Sequence, residues 1–74
     1  MRDFLVTATV NIEKTGELVE RLAFVWTSDR EDVREVEDLT DEDLEDIFDL
    51  VEDERNVMTN YSVVCRVDVM ALRD

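Results

Sequence analysis

One acidic stretch, residues 28–55, constrains the fold of this chain more than any other feature. It holds 15 of the 21 carboxylates and only three arginines, a net charge of −12, whereas the whole chain carries −13. Charged side chains are almost never fully buried unless they are paired, so most of this stretch must lie at the surface. Self-repulsion of this size costs stability, and solubility alone would allow the charge to be spread. The concentration of negative charge in one stretch therefore predicts a surface that binds a positively charged partner.

The remaining composition predicts one small domain. Seventy-four residues with no proline and a single glycine, Gly16, leave no flexible linker and no second domain. No apolar run reaches the roughly 18 residues of a membrane span, and the N-terminus has no signal-peptide stretch. Cys65 is the only cysteine, which excludes an intrachain disulfide and fits a reducing, cytoplasmic setting.

The acidity also bears on the kind of partner. Contact with a phosphate backbone requires clustered lysine and arginine, so the acidity argues against nucleic acid as a direct ligand. Anionic membrane surfaces are disfavoured for the same reason. The charge favours a basic protein surface, such as that of a nucleic-acid-binding protein.

Two segments alternate with the period of a half-buried β-strand. The first is residues 4–12, with an apolar face of Phe4, Val6, Ala8, Val10 and Ile12. The second is residues 60–70, in which Tyr61, Val63, Cys65, Val67 and Val69 are predicted to face inward and Ser62, Val64, Arg66, Asp68 and Met70 outward. A turn is predicted at residues 13–16, where Gly16 can adopt a positive φ.

Residues 17–27 fit two patterns. As a strand, Leu18, Leu22, Phe24 and Trp26 share one face, with Glu20 as the misfit. As a helix, Thr15 would be the N-cap, and Phe24 would fall outside the stripe of Leu18, Val19, Leu22, Ala23 and Trp26. The aromatic and β-branched run at 23–27 favours the strand, and the glycine turn favours a hairpin.

Residues 28–39 leave two alternatives open. Ser28 with Glu31 fits a capping box that opens a short helix, and the three-residue spacing of Val33, Val36 and Leu39 suits a helical or 3₁₀ path. A third strand around residues 33–37 is the alternative.

Residues 41–54 are predicted to form an amphipathic helix. Its apolar stripe at i, i+3, i+4 and i+7 is Leu44, Ile47, Phe48 and Val51. Thr40 is a candidate N-cap, and carboxylates in the first turn oppose the positive end of the helix. Asn56 is predicted to close the helix in the left-handed conformation.

Together these elements predict an α+β fold of β-β-α-β order, a small antiparallel sheet of about three strands with the helix on one face. The second face of the sheet is predicted to be only partly polar, because it carries Leu5, Val19, Ala23, Val25, Val64 and Met70. Exposed apolar patches mark interfaces, so a homodimer through this outer face is one expectation.

Nothing in the sequence assembles a catalytic site. There is no histidine, Cys65 is predicted to be a buried apolar residue, and Ser28 and Ser62 have no base partner. The spacing Asp41-x-Asp43-x-Glu45 resembles the start of a calcium loop but has Asp46 where the loop needs glycine. We therefore expect no enzyme activity, no metal site and no cofactor.

The acidic face of the helix is the candidate binding surface. Carboxylates at i, i+3 and i+4 rise roughly 4.5–6 Å along the axis, a scale comparable with the charge spacing of a nucleic-acid strand, about 3.4 Å. The connector before the helix is predicted to supply a second row. The predicted partner-binding residues are Asp32, Glu35, Asp38, Glu42, Glu45, Asp46, Asp49, Glu52 and Asp53.

The chain resembles the small acidic proteins that bacteriophages and other mobile elements use against host defences, such as anti-CRISPR proteins and anti-restriction DNA mimics. The resemblance is one of size, of a lone compact domain and of the acidic stretch SDREDVREVEDLTDEDLEDIFDLVEDER, not of a motif. It implies a non-enzymatic inhibitor that occupies the nucleic-acid-binding surface of a CRISPR effector complex or a restriction enzyme in the host cytoplasm.

Two alternative functions fit the composition. In a structural or assembly module, the outer sheet face would be the interface and the acid a solvated surface. In a salt-adapted domain, the acid would reflect a high-salt environment. Adaptation to salt would acidify every exposed face, however, whereas the outward strand positions include Thr7, Thr9, Asn11, Ser62 and Arg66.

Overall fold

The computed structural model describes residues 1–73 and confirms the predicted α+β class. The elements follow in the order β1 (Arg2–Ile12), β2 (Leu18–Ser28), a 3₁₀ turn (Val36–Asp38), α1 (Asp41–Glu54) and β3 (Val63–Ala71). The three strands form one antiparallel sheet in the order β2-β1-β3, and α1 packs on one face of it.

The hairpin between β1 and β2 resolves the ambiguity of residues 17–27 in favour of the strand. Gly16 has φ 76°, and its N–H donates to the carbonyl of Ile12 at 2.7 Å. The register shifts between Val10 and Asn11, so that Asn11 lies opposite Leu18. Leu18 thereby joins the outer face and is 47% exposed, where the strand alternation had predicted it inward.

Glu20, the misfit of the predicted strand, has a structural role. It lies opposite Val10, on the face that α1 covers. Its carboxylate accepts the backbone N–H of Asn56 at 3.1 and 3.3 Å, just after the helix ends. The charged residue on the inner face therefore ties the chain leaving α1 to the start of β2.

The helix has the predicted bounds because its first turn is capped. The Thr40 hydroxyl accepts the N–H of Asp43, and the Asp43 carboxylate accepts the N–H of Thr40 at 2.9 Å. The prediction for Asn56 is wrong, because no residue other than Gly16 has positive φ within residues 1–73. The helix ends at Glu54, and its C-cap is Arg55, which has an extended conformation and donates its N–H to the carbonyl of Val51.

The connector from β2 to α1 crosses the end of the sheet where β1 begins. The 3₁₀ turn fits the predicted helical or 3₁₀ path, and residues 33–37 do not form a strand. The predicted capping box at Ser28 is wrong: Ser28 ends β2, is buried, and accepts the N–H of Arg30. A capping box occurs further on, between Glu35 and Asp38.

The core lies between the sheet and α1. Val6 and Ala8 of β1 cluster with Ile47 and Val51 of α1, and side chains of β2, β3 and the connector pack around them. Phe4 and Trp26 are neighbours across β1 and β2 with ring centroids 6.0 Å apart. On β3 the predicted alternation holds from residue 63 on, but the prediction for Tyr61 is wrong, since it precedes the strand and is 66% exposed.

The outer face of the sheet carries one apolar row. Leu5 lies opposite both Val25 of β2 and Met70 of β3.

Polar rows follow the apolar row on the outer face. Two positions further along β1, Thr7 lies between Ala23 and Asp68, and the next row is Arg21, Thr9 and Arg66. Val64 lies beside Asn11, beyond the arginines, so the predicted apolar residues of this face do not form one continuous patch.

Candidate acidic binding face

The acidic stretch is confined to the connector and α1, which cover one face and one end of the sheet. Of the nine predicted binding residues, only Glu35 is half-buried, and the other eight are exposed. The outer sheet face, in contrast, carries Asp3 and Asp68 together with Arg21 and Arg66, and is neutral as a whole. The molecule is therefore strongly polarised.

Four of the nine predicted residues have partners within the domain. Glu35 caps the 3₁₀ turn and pairs with Arg73 at 2.9 Å, and Asp38 accepts the N–H groups of residues 34 and 35. Asp46 accepts the indole N–H of Trp26 at 2.9 Å, and Glu52 pairs with Arg55 at 3.0 Å. These carboxylates support the fold, which the charge pattern alone did not indicate.

The side chains of the other five make no hydrogen bond or ion pair within residues 1–73: Asp32, Glu42, Glu45, Asp49 and Asp53. Four of them lie on α1 at spacings of three, four and four residues, which places them on one exposed ridge opposite the buried Ile47 and Val51. At 1.5 Å per residue this ridge extends for roughly 16 Å along the axis. We call Glu42, Glu45, Asp49 and Asp53 the acidic ridge.

Two carboxylates at the edges of this surface are held ionised by the fold. The backbone N–H groups of Glu35 and Arg34 lower the pKa of Asp38. The backbone N–H of Thr40 lowers the pKa of Asp43, with further contributions from the Thr40 hydroxyl and from Arg30. Arg30 also forms an ion pair with Asp43, which joins the end of β2 to the first turn of α1.

A groove runs between α1 and β3, beside the acidic ridge. Its volume is about 360 Å³, and its lining is Phe48, Asp49, Val51, Glu52, Cys65 and Val67. Phe48 belongs to the predicted apolar stripe of the helix but is 49% exposed. The hydrogen bond from Trp26 and the contact of Glu20 with Asn56 tie α1 to β2. On the groove side of the helix, the inward side chains of β3 are only half-buried.

Two further exposed apolar residues lie in the loop between α1 and β3. Met58 is 97% exposed and Tyr61 66% exposed, and both line a depression of about 510 Å³ with Arg55 and Val57. The sequence analysis assigned no role to Met58. The only indication in the sequence was that a single methionine lies between the predicted helix and the last predicted strand.

Residues 1–73 contain no group of three or more histidine, cysteine or acidic residues arranged to hold a metal ion. In the same range, no helix combines the length and apolar character needed to cross a membrane. Comparison of the chain with protein-family models, curated proteins and solved structures finds no match.

Proposed function

We propose that this domain is a non-enzymatic inhibitor that presents the acidic ridge to a basic nucleic-acid-binding surface of a host protein and excludes DNA or RNA from it. The observation that carries this proposal is the ridge itself, four exposed carboxylates in line on one helix without internal partners. Asp32 and the other acidic residues of the connector flank the acidic ridge and add to its negative electrostatic potential.

The physical basis is electrostatic complementarity. A net charge of −13 on 74 residues, concentrated on one side, accelerates encounter with a basic cleft and makes association depend strongly on salt. The carboxylates of the ridge are free to pair with arginine and lysine, because no internal partner has to be displaced first. The neutral outer face of the sheet would point away from such a partner.

The resemblance to phage anti-defence proteins suggests the class of target. A CRISPR effector complex or a restriction enzyme offers a cationic channel in the host cytoplasm, and an acidic domain of this size could enter it.

The test is capture of a partner from host lysate on the immobilised domain, followed by a nucleic-acid displacement assay. We expect a nucleic-acid-binding protein that is retained at low salt, released at high salt, and prevented from binding its DNA or RNA. A domain with Glu45→Lys and Asp49→Lys should lose this partner, whereas Glu13→Lys with Glu17→Lys, the same charge change on the hairpin, should keep it. Equal capture by both variants would contradict the proposal.

A second candidate function is an assembly module that pairs through the outer sheet face. The row of Val25, Leu5 and Met70 favours it, because Val25 and Met70 are 55% and 57% exposed on a face without net charge. Two copies joined there would keep their acidic faces apart. This arrangement is also compatible with inhibition, since a dimer would present two acidic ridges.

A further inference from the structure

The groove between α1 and β3 combines an apolar floor with an acidic rim. Phe48, Val51, Cys65 and Val67 supply the floor, while Asp49 and Glu52 stand at the edge. A half-exposed phenylalanine is costly to leave in water, and here it lies directly beside the acidic ridge. The groove and the ridge therefore form one continuous surface.

We propose that this groove receives an arginine side chain of the basic partner. The inference rests on the proposed function, because it assigns a specific contact to the same acidic face. The volume of about 360 Å³ equals that of roughly a dozen water molecules, enough for one long side chain. The partner's arginine would lay its methylene stem on Val67 and its guanidinium over the ring of Phe48.

The chemistry of the rim selects arginine over other occupants. An apolar side chain would leave Asp49 without a partner. A lysine ammonium is a compact, strongly hydrated charge, whereas a guanidinium stacks on aromatic rings and pairs with carboxylates through two parallel hydrogen bonds. Glu52 already holds the guanidinium of Arg55 at 3.0 Å, so Asp49 is the rim carboxylate that remains free for the incoming arginine.

Cys65 makes the groove directly measurable. It is the only cysteine of the chain, it is half-buried, and it lines the groove floor. An occupant of the groove should therefore slow its alkylation by a thiol reagent. The sole tryptophan, Trp26, lies on the other side of α1 and reports independently whether a variant is folded.

The experiment compares nona-arginine and nona-lysine peptides as probes. We expect nona-arginine to slow alkylation of Cys65 in the parent more than nona-lysine does. Phe48→Leu, which keeps an apolar residue and removes the ring, should weaken nona-arginine binding about two- to fivefold, with little effect on nona-lysine. Asp49→Asn, an isosteric change at an exposed position, should also reduce the protection of Cys65.

Glu42→Gln provides the matched control, because Glu42 lies on the ridge away from the groove. It should weaken both peptides alike and leave the protection of Cys65 by bound nona-arginine intact. Alkylation unaffected by saturating nona-arginine, or equal effects of Phe48→Leu on both peptides, would overturn the groove proposal while leaving the acidic face in place. If Glu42→Gln and Asp49→Asn together fail to weaken either peptide, the proposed function itself loses its basis.

Discussion

The indole N–H of Trp26 donates to a carboxylate oxygen of Asp46 at 2.9 Å, joining the middle of α1 to the end of β2. This bond, together with the ion pair of Arg30 and Asp43, ties the helix to the end of β2 and to the connector that follows it. Asp46 therefore supports the fold and also contributes to the negative charge of the acidic surface.

The bond from Trp26 to Asp46 can be tested by two matched substitutions on α1. We expect Asp46→Ala to lower the free energy of unfolding by about 1 kcal/mol, since it removes the acceptor of the indole N–H. Asp49→Ala makes the same chemical change at an exposed position without an internal partner, and its effect should stay within about 0.5 kcal/mol. Urea denaturation followed by circular dichroism measures both, and equal effects would contradict the role of Asp46.

The capping box predicts a pH-dependent contribution from Asp43. Because the pKa of Asp43 in the folded protein lies below the ordinary value of 3.8, the unfolded chain binds its proton more readily and stability rises with pH. The stabilisation is therefore present above pH 3.8 and is lost as the pH falls through the lower folded pKa. Asp43→Asn should be less stable than the parent near neutral pH, and the difference should vanish in strong acid.

Urea denaturation of the parent and of Asp43→Asn, near neutral pH and in strong acid, measures this difference in the free energy of unfolding. A gap between parent and Asp43→Asn that persists unchanged below the folded pKa would contradict the account. Thr40→Ala removes the other half of the box and should cost about 1 kcal/mol near neutral pH. Because the Thr40 hydroxyl also helps to lower the pKa of Asp43, part of this cost should disappear in strong acid.

The hairpin turn predicts a purely conformational effect at Gly16. A Cβ added there meets no atom within 4 Å, so substitution costs only the backbone strain of φ 76°. Gly16→Ala should therefore destabilise the domain by roughly 1–2 kcal/mol, and Gly16→Asn by less, since asparagine tolerates the left-handed region. Denaturation curves in which both variants match the parent would contradict the assigned turn conformation.

The outer sheet face predicts a specific interface if the domain dimerises. Val25→Lys with Met70→Lys should convert a dimer to monomers, because both side chains belong to the row centred on Leu5. Val64→Lys serves as control, since Val64 is exposed to a similar degree but lies beyond Arg21 and Arg66. Sedimentation equilibrium measures the effect, and a parent that stays monomeric at high concentration would contradict the interface.

The sequence predicted the elements whose signals are local. Alternation identified β1 and most of β3 because one face of the sheet is buried, and the Thr40 cap with the stripe of α1 gave the bounds of the helix. Predictions for Leu18, Asn56 and Tyr61 were wrong because a β-bulge, a helix end and the start of a strand depend on backbone geometry that periodicity does not encode.

The candidate site was predictable in location but not in detail. Charge concentration placed the acidic residues on the connector and α1, yet it did not separate carboxylates that cap or bridge, such as Asp38 and Asp46, from those of the ridge. The groove beside Phe48 could not be predicted from the sequence either. A helical stripe indicates which residues face a sheet but not how much of the sheet the helix covers.

The most direct test of the central claim is the affinity of the captured nucleic-acid-binding protein for this domain, measured at several salt concentrations. Three forms are compared: the parent, the ridge variant with Glu45→Lys and Asp49→Lys, and the hairpin variant with Glu13→Lys and Glu17→Lys. The account predicts that reversing the ridge costs about 2–5 kcal/mol of binding free energy and flattens the salt dependence, while reversing the hairpin charges does neither. Equal affinity and equal salt dependence for both variants would contradict it.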